Sequence, residues 1–316
     1  LTLWALSEGS FLGFCCAMSA LGINMAFSQQ YRFAAIESVG LARAGRAVSF
    51  VLLGAVGGAL LGPYLVQLAA RVNASAPYDL VLLTLCGLYL LATLLFGALR
   101  MAKPQDDGVT QDRGRSVREL LRQPVFVVAV LGGTAGYGVM SFLMTATPLS
   151  MHEVDGYSLA ETAAVIRAHV LGMYLPSLVS GFLIDRLGVS KMMTAGALLL
   201  LAALVTGMDG HSLGHYTWAL ILLGVGWNFL YVGGTTMLTF AYRDSERFRA
   251  QAFNEFCVFG TAATGSLLAG TTMHLFGWFN TAAVPLPLLV IMLGALFWVR
   301  RSPLLRQQGK TAEQTG

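Results

Sequence analysis

A few polar side chains stand inside long apolar stretches of this chain, at regular spacings. Asn24, Ser28 and Tyr31 form one set; Thr134, Tyr137, Ser141 and Thr145 form a second; Asn228, Tyr231 and Thr235 form a third. Steps of three and four put each set on one helical face. Such a face can line a wet cavity and hydrogen-bond a small solute. Any single Ser or Thr has a second use, a bond to its own helix backbone. Arg167 stands about 8 residues inside an apolar run, roughly 12 Å deep at the helical rise. A charge at full membrane depth costs about 2.5–3.5 kcal/mol, so Arg167 must reach water, a partner or the interface. It would either contact an anionic solute group or snorkel. His169, Met173 and Ser177 share a face, and Pro176 should kink that helix. A neutral His169 could relay protons or simply pack with a hydrogen bond. Glu255 lies near the start of another run. It could carry a coupling proton, because partial burial raises a carboxyl pKa, or merely complement a helix N-terminus.

Other chemistries find little support. A membrane-embedded hydrolase needs a nucleophile and base, or metal ligands, converging at one depth, and no such set stands out. His152-Glu153 lacks the second His of a zinc-protease motif. Asp209, His211 and His215 could hold a metal or be an ordinary solvated loop. Cys15, Cys16, Cys86 and Cys257 all sit in apolar segments, with neither metal spacing nor a disulfide framework. Neither a metal nor a cofactor is expected. Asn73-Ala74-Ser75 is a glycosylation sequon, without meaning in a bacterial protein.

The elements that must position these groups follow from composition. Of 316 residues, 56% are hydrophobic and 11% charged, against roughly 25% charged in soluble domains. A helical span needs about 20 apolar residues. Nine segments qualify: 9–31, 46–70, 78–99, 124–148, 159–184, 190–208, 215–240, 251–276 and 279–299. They are too long, and too rich in Leu, Ala and Gly, for barrel strands. The expectation is an all-α, polytopic membrane protein with nine complete transmembrane helices.

Orientation comes from the cations. Arg32, Arg43 and Arg46; Arg100, Lys103, Arg113, Arg115, Arg118 and Arg122; Arg186 and Lys191; Arg243, Arg247 and Arg249; and Arg300, Arg301, Arg306 and Lys310 all fall on one side. Only Arg71 falls opposite, and Arg167 lies within a span. That side is read as the cytoplasm, with the C-terminus on it. Topology thus explains the net charge of +4, and no nucleic-acid partner is implied. Residues 100–123 form the longest connection and divide the spans into three and six. In Ser116–Gln123, Val117, Leu120 and Leu121 share a face, which fits either a short surface helix or a linker. A parallel repeat relates Asn24 to Asn228, Arg46-Ala47 to Arg249-Ala250, Gly57 to Gly260 and Gly62 to Gly265, as expected of two transporter halves.

The stretch Gly181-Phe-Leu-Ile-Asp185-Arg186-Leu-Gly188-Val-Ser-Lys191 resembles the loop motif G-x-L-a-D-R-x-G-r-k of the major facilitator superfamily of secondary transporters. Val189 and Ser190 depart from it, and Lys191 supplies a late cation. Gly54, Gly58, Gly62 and Pro63 resemble the fifth-helix motif of the family's exporters, without its last glycines; Gly58 and Gly62 would equally serve close helix packing. The resemblance implies twelve helices in two halves. The nine spans would then be the family's fourth to twelfth, in an N-terminally truncated chain. Residues 1–99 would be the remainder of the N-terminal half, 100–123 the inter-half loop, 124–300 the C-terminal half and 301–316 the cytoplasmic tail.

On this footing the chain is expected to be no enzyme but a transporter working by alternating access. It would be a monomer in the lipid of a bacterial inner membrane, moving a small solute against a coupling ion, the proton, with export favoured over import. Asn24, Tyr137, Arg167, Asn228 and Tyr231 are the expected substrate contacts, and His169 and Glu255 the proton carriers. Gly181, Asp185, Arg186, Gly188 and Arg46 would form a gate: by the repeat's symmetry Asp185 faces Gly45 and Arg46 at the start of span two. The same motif could instead be a topogenic turn. The rival outside transport is a scaffold or sensor derived from a transporter.

Overall fold

Backbone groups in hydrocarbon have no water to bond, so long apolar runs satisfy themselves as helices. The structure, a computed structural model, describes residues 1–72, 77–98 and 114–299. All regular structure among them is helical. The sequon at 73–75, most of the inter-half loop with Arg100, Lys103 and Arg113, and the tail with Arg300, Arg301, Arg306 and Lys310 lie outside the described residues.

In chain order the helices are α1 (Thr2–Ser7), α2 (Phe11–Val39), α3 (Ala44–Val72), α4 (Pro77–Ala98), α5 (Val117–Leu120), α6 (Pro124–Leu149), α7 (Leu159–Tyr174), α8 (Ser177–Leu187), α9 (Val189–Asp209), α10 (Leu213–Thr239), α11 (Arg247–Ala283) and α12 (Leu286–Val299). A π-helical turn, Ser150–Val154, extends α6. Local signals set several ends. Ser116 and Glu119 make a reciprocal capping box before α5, as Ser158 and Glu161 do before α7. Ser212 caps α10 by accepting from the His215 N–H. Pro176, which has no N–H to donate, separates α7 from α8 at the expected kink.

Eight stretches of the described residues are long and apolar enough to cross a membrane. The last, Asp244–Val299, has 56 residues. Unbroken, it would run about 84 Å, far beyond a hydrocarbon core of about 30 Å. Gly277 interrupts it at φ 70°, ψ 177°, a conformation that only glycine adopts readily. The break falls between the last two expected spans. The protein is therefore a multi-pass, all-α membrane protein.

The chain forms two compact units. The first combines Leu1–Tyr31 with Gly57–Gln111. In it α1 packs on α4, and the rings of Tyr31 and Phe96 meet at 4.8 Å. Helix α4 is apolar yet almost wholly unburied, presenting Leu83, Leu88, Leu91 and Leu94 outward. An apolar face of that extent is one that a membrane or another apolar surface would cover.

The second unit combines Arg32–Val56 with Asp112–Gly316. Its centre is α10, flanked by α9, α6 and α7, with α11 along α6 and α12 against α6 and α9. Trp227, Leu230, Leu200, Leu204, Met193 and Ala129 fill the core. Glycine lets α9 and α10 touch backbone to backbone: a Cβ on Gly226 would meet the Gly196 carbonyl at 2.9 Å. The division into these compact units is of another kind from the expected one at the inter-half loop 100–123, which lies mostly outside the described residues. It falls within α2 and α3, because residues 32–56 pair with α8 and α11. Leu120 of α5 is buried, whereas Leu121, expected on the same face, is exposed.

Candidate solute and coupling site

Helix α10 places Trp227 and Tyr231 one turn apart on one face, and α6 and α11 bring Tyr137 and Phe259 against them. The Trp227 and Tyr231 rings stack with centroids 5.0 Å apart, and Tyr137 stands edge-on to them at 5.2 and 5.1 Å. Phe259 lies 5.2 Å from Tyr137, and Tyr174 of α7 lies 5.8 Å from Trp227. Offset and edge-on pairs are the favoured aromatic geometries. The indole N–H of Trp227 is buried and has no hydrogen-bond partner among the described residues.

A charged pair lies beside these rings. Arg32 of α2, 2% exposed, ion-pairs with Glu255 of α11. Its guanidinium carbon also sits 4.4 Å from the Tyr231 centroid and 4.7 Å from that of Phe33, within cation–π range. The Asn254 amide donates to Glu255 Oε1 at 2.9 Å, and Oε2 has no partner among the described residues. The pairing is possible because the depths match. Arg32 precedes the end of α2 by seven residues and Glu255 follows the start of α11 by eight, about 10 and 12 Å of rise.

Of the sequence-derived residues, Tyr137, Tyr231 and Glu255 thus converge. Asn228 is buried one position from Trp227 but turns toward α7, where its amide donates to the Met173 carbonyl at 2.8 Å and to Ser177 Oγ at 2.7 Å. It bonds across the break at Pro176. His169 is buried too, with Nδ1 2.7 Å from the Leu220 carbonyl and Nε2 unpartnered among the described residues. Arg167, two residues away on α7, is exposed and makes no ion pair within 4.0 Å among the described residues. Asn24, in the first unit, is exposed; its carbonyl accepts from Ser28.

The loop-motif residues gather at the arginine-rich end of α3. Asp185 ion-pairs with Arg46, whose guanidinium carbon lies 4.6 Å from the Phe182 centroid. Ser49 and Ser180 hydrogen-bond at 3.0 Å. A Cβ on Gly181 would fall 2.7 Å from the Arg46 Cα, so only glycine allows this approach. Gly188, at φ 88°, links α8 to α9, and Arg186 is exposed. At the same end Arg247 pairs with Glu37 at 2.9 Å, and Arg115 forks onto the buried Glu246 with two bonds of 2.7 Å. The Glu246 carboxylate, hydrogen-bonded to Arg115, raises that guanidinium above its ordinary range.

At the other end, the loop histidines find separate acids rather than a common centre. His211 Nδ1 lies 3.1 Å from Asp155, which also accepts from Tyr216 at 2.5 Å, while His215 lies 3.5 Å from Asp209. No cluster of three potential metal ligands occurs among the described residues.

Arg32, Trp227, Phe259 and Asn254 were missed from the sequence. Arg32 looked like a loop cation because the apolar run ends at Tyr31. The helix-forming stretch Phe33-Ala-Ala-Ile36 is the signal that α2 continues past it. Trp227 sits one turn before Tyr231, on a stripe read only for its polar members.

The comparisons with known proteins come to the same fold. The family model of the Major Facilitator Superfamily matches residues 156–315. The chain is 36% identical over 285 residues to the riboflavin transporter RfnT of Brucella anthropi, covering 90% of this chain and 71% of that one. It is 31% identical to the uncharacterized transporter YddS of Bacillus subtilis, covering 79% of this chain and 61% of YddS. Among solved structures, the E. coli fucose:proton symporter FucP superposes with a TM-score of 0.65 over 93% of this chain and 78% of its own, at 17% identity.

Proposed function

The chain belongs to the Major Facilitator Superfamily, and from that premise we propose that it carries a planar heteroaromatic solute of the riboflavin class by alternating access. The observation that carries this reading is the Tyr137–Trp227–Tyr231 cluster with Arg32 against Tyr231. Stacked rings bind flat, polarisable ring systems, and the unpartnered Trp227 N–H offers a donor to a ring carbonyl. The 36% identity to a riboflavin transporter supports the same solute class.

Glu255 is the proposed proton carrier. Protonation removes its charge and frees Arg32 to answer the solute or the proton, so one event couples to the other. His169, sealed against Leu220, is the second candidate. Asn228 and Arg167 are further proposed solute contacts of the second unit, and Asn24 is one in the first unit. One charge crossing 100 mV supplies about 2.3 kcal/mol, enough for roughly 50-fold accumulation or expulsion. The Arg46–Asp185 and Ser49–Ser180 contacts, built around Gly181, are the proposed gate, with Gly188 and Arg186 setting the turn behind it. The arginine-rich ends face the cytoplasm, the spans number nine, and the protein is a monomer in the inner membrane. Export is the proposed direction, on the pattern Gly54, Gly58, Gly62 and Pro63.

Reconstituting the complete gene product in proteoliposomes tests the proposal. Riboflavin flux that follows an imposed pH gradient is expected. Flavin binding without flux would instead identify a sensor.

A further inference from the structure

Three hydroxyls stand one to two turns along α6 and α11 from the aromatic cluster. Ser141 Oγ lies 2.8 Å from Ser266 Oγ, and Thr145 Oγ1 lies 3.3 Å from the same oxygen. They come from two helices pressed together at Gly265, where a Cβ would be 3.2 Å from the Gly138 carbonyl. On α6, Tyr137, Ser141 and Thr145 recur every four residues. On α11, Phe259 and Ser266 are seven apart. Both spacings hold a common face. Along the axis the hydroxyls therefore lie about 6–12 Å from the rings.

The hydroxyls are not sealed in. Thr145 is exposed, and Ser141 and Ser266 are half-buried. Thr145 donates to the Ser141 carbonyl at 2.8 Å, so toward Ser266 it is the acceptor and keeps one further lone pair open. Of the two serines, one donates to the other and keeps acceptor capacity. With its three protons committed in this way, the set presents acceptor lone pairs to a donor. It suits a partner that is itself a row of hydroxyls. A phosphate or carboxylate would call for a cation, and no cation is part of the trio.

We propose that Ser141, Thr145 and Ser266 form a subsite for the polyhydroxylated chain of a solute whose planar ring lies on Tyr137, Trp227 and Tyr231. This deepens the flavin reading and rests on it. Riboflavin has the required form, a tricyclic ring with a short polyol chain. Lumichrome has the ring without that chain.

The test is equilibrium binding to the complete, purified gene product, followed by quenching of the ligand's fluorescence. The wild type is expected to bind riboflavin more tightly than lumichrome. The double variant Ser141→Ala, Ser266→Ala should bind riboflavin about 10-fold more weakly, by the usual worth of lost hydrogen bonds, with lumichrome unchanged. Thr145→Val, a near-isosteric and exposed change, gives a smaller loss of the same kind and serves if the double variant does not fold. Riboflavin binding that is undiminished in the variants, or that falls equally with lumichrome, overturns the subsite and leaves the flavin reading standing. Wild-type protein that binds neither ligand overturns both.

Discussion

Arg32 and Glu255, 223 residues apart, are joined in an ion pair inside the second unit, with the Arg32 guanidinium also lying against the Tyr231 ring. Removing one member of a buried ion pair typically costs about 3–5 kcal/mol. Glu255→Gln should therefore lower the melting temperature in detergent by roughly 10 °C and make riboflavin flux independent of the pH gradient. The exchange Arg32→Glu with Glu255→Arg should recover the melting temperature and leave coupling impaired. Flux in Glu255→Gln that still follows the gradient would remove Glu255 as the proton carrier.

Tyr137 touches Trp227, Tyr231 and Phe259 through its ring. Aromatic contacts of this kind contribute about 0.5–1.5 kcal/mol each. Tyr137→Ala should weaken flavin binding about 10-fold or more, and Tyr137→Phe, which keeps the ring, by about 2-fold at most. Titration of flavin fluorescence separates the two. Equal losses would shift the role from the ring to the hydroxyl.

Gly181 and Asp185 sit on the same contact but should differ in weight. Arg46 is 40% exposed in its pair with Asp185, and a partly solvated pair contributes only about 1 kcal/mol. Asp185→Asn should thus shift the gate population about 5-fold. Gly181→Ala puts a carbon 2.7 Å from backbone, which neither helix can yield cheaply, and should slow transport at least about 10-fold. The check is thiol labelling of a cysteine placed at Ser180. Labelling should quicken modestly in Asp185→Asn and strongly in Gly181→Ala, and a rate unchanged in both would refute the gate.

Glu246 is buried, and its carboxylate accepts from the side chain and backbone N–H of Arg115 and from the backbone N–H of Arg243. Arg115→Ala removes the guanidinium that ion-pairs with it. The cost should be about 2–4 kcal/mol, somewhat below a fully buried pair because Arg115 is partly exposed. A melting temperature lowered by roughly 5–10 °C, with flavin affinity preserved, is the expected result. A fall in affinity of similar size would place this pair in the solute path instead.

The membrane fold was legible in the sequence because bilayer thickness imposes itself on every span, and apolar run length reads it directly. Tyr137, Tyr231 and Glu255 were legible for a related reason: polar groups are rare in hydrocarbon, so their stripes stand out. Arg32 was not, since a cation at the edge of an apolar run looks the same whether the helix stops or continues. Trp227 and Phe259 were hidden because an aromatic ring among apolar residues carries no contrast. Asn228 had the right spacing for its stripe, yet its amide is turned to Met173 and Ser177. Periodicity gives a face to within a turn, and neighbouring helices decide which way an amide on it points.

Pro176 divides one membrane span into two pieces with unequal attachments. The piece before it is bonded to α10 through His169 and Leu220, and the piece after it carries Ser180, Gly181 and Asp185 against α3. Asn228 acts as a splint across that joint, bonded on both sides of it. Force applied at the loop motif reaches the rest of the bundle partly through this one carboxamide. The stiffness of the proposed gate would then depend on a residue of a different helix, next in sequence to the tryptophan on which the solute is proposed to rest.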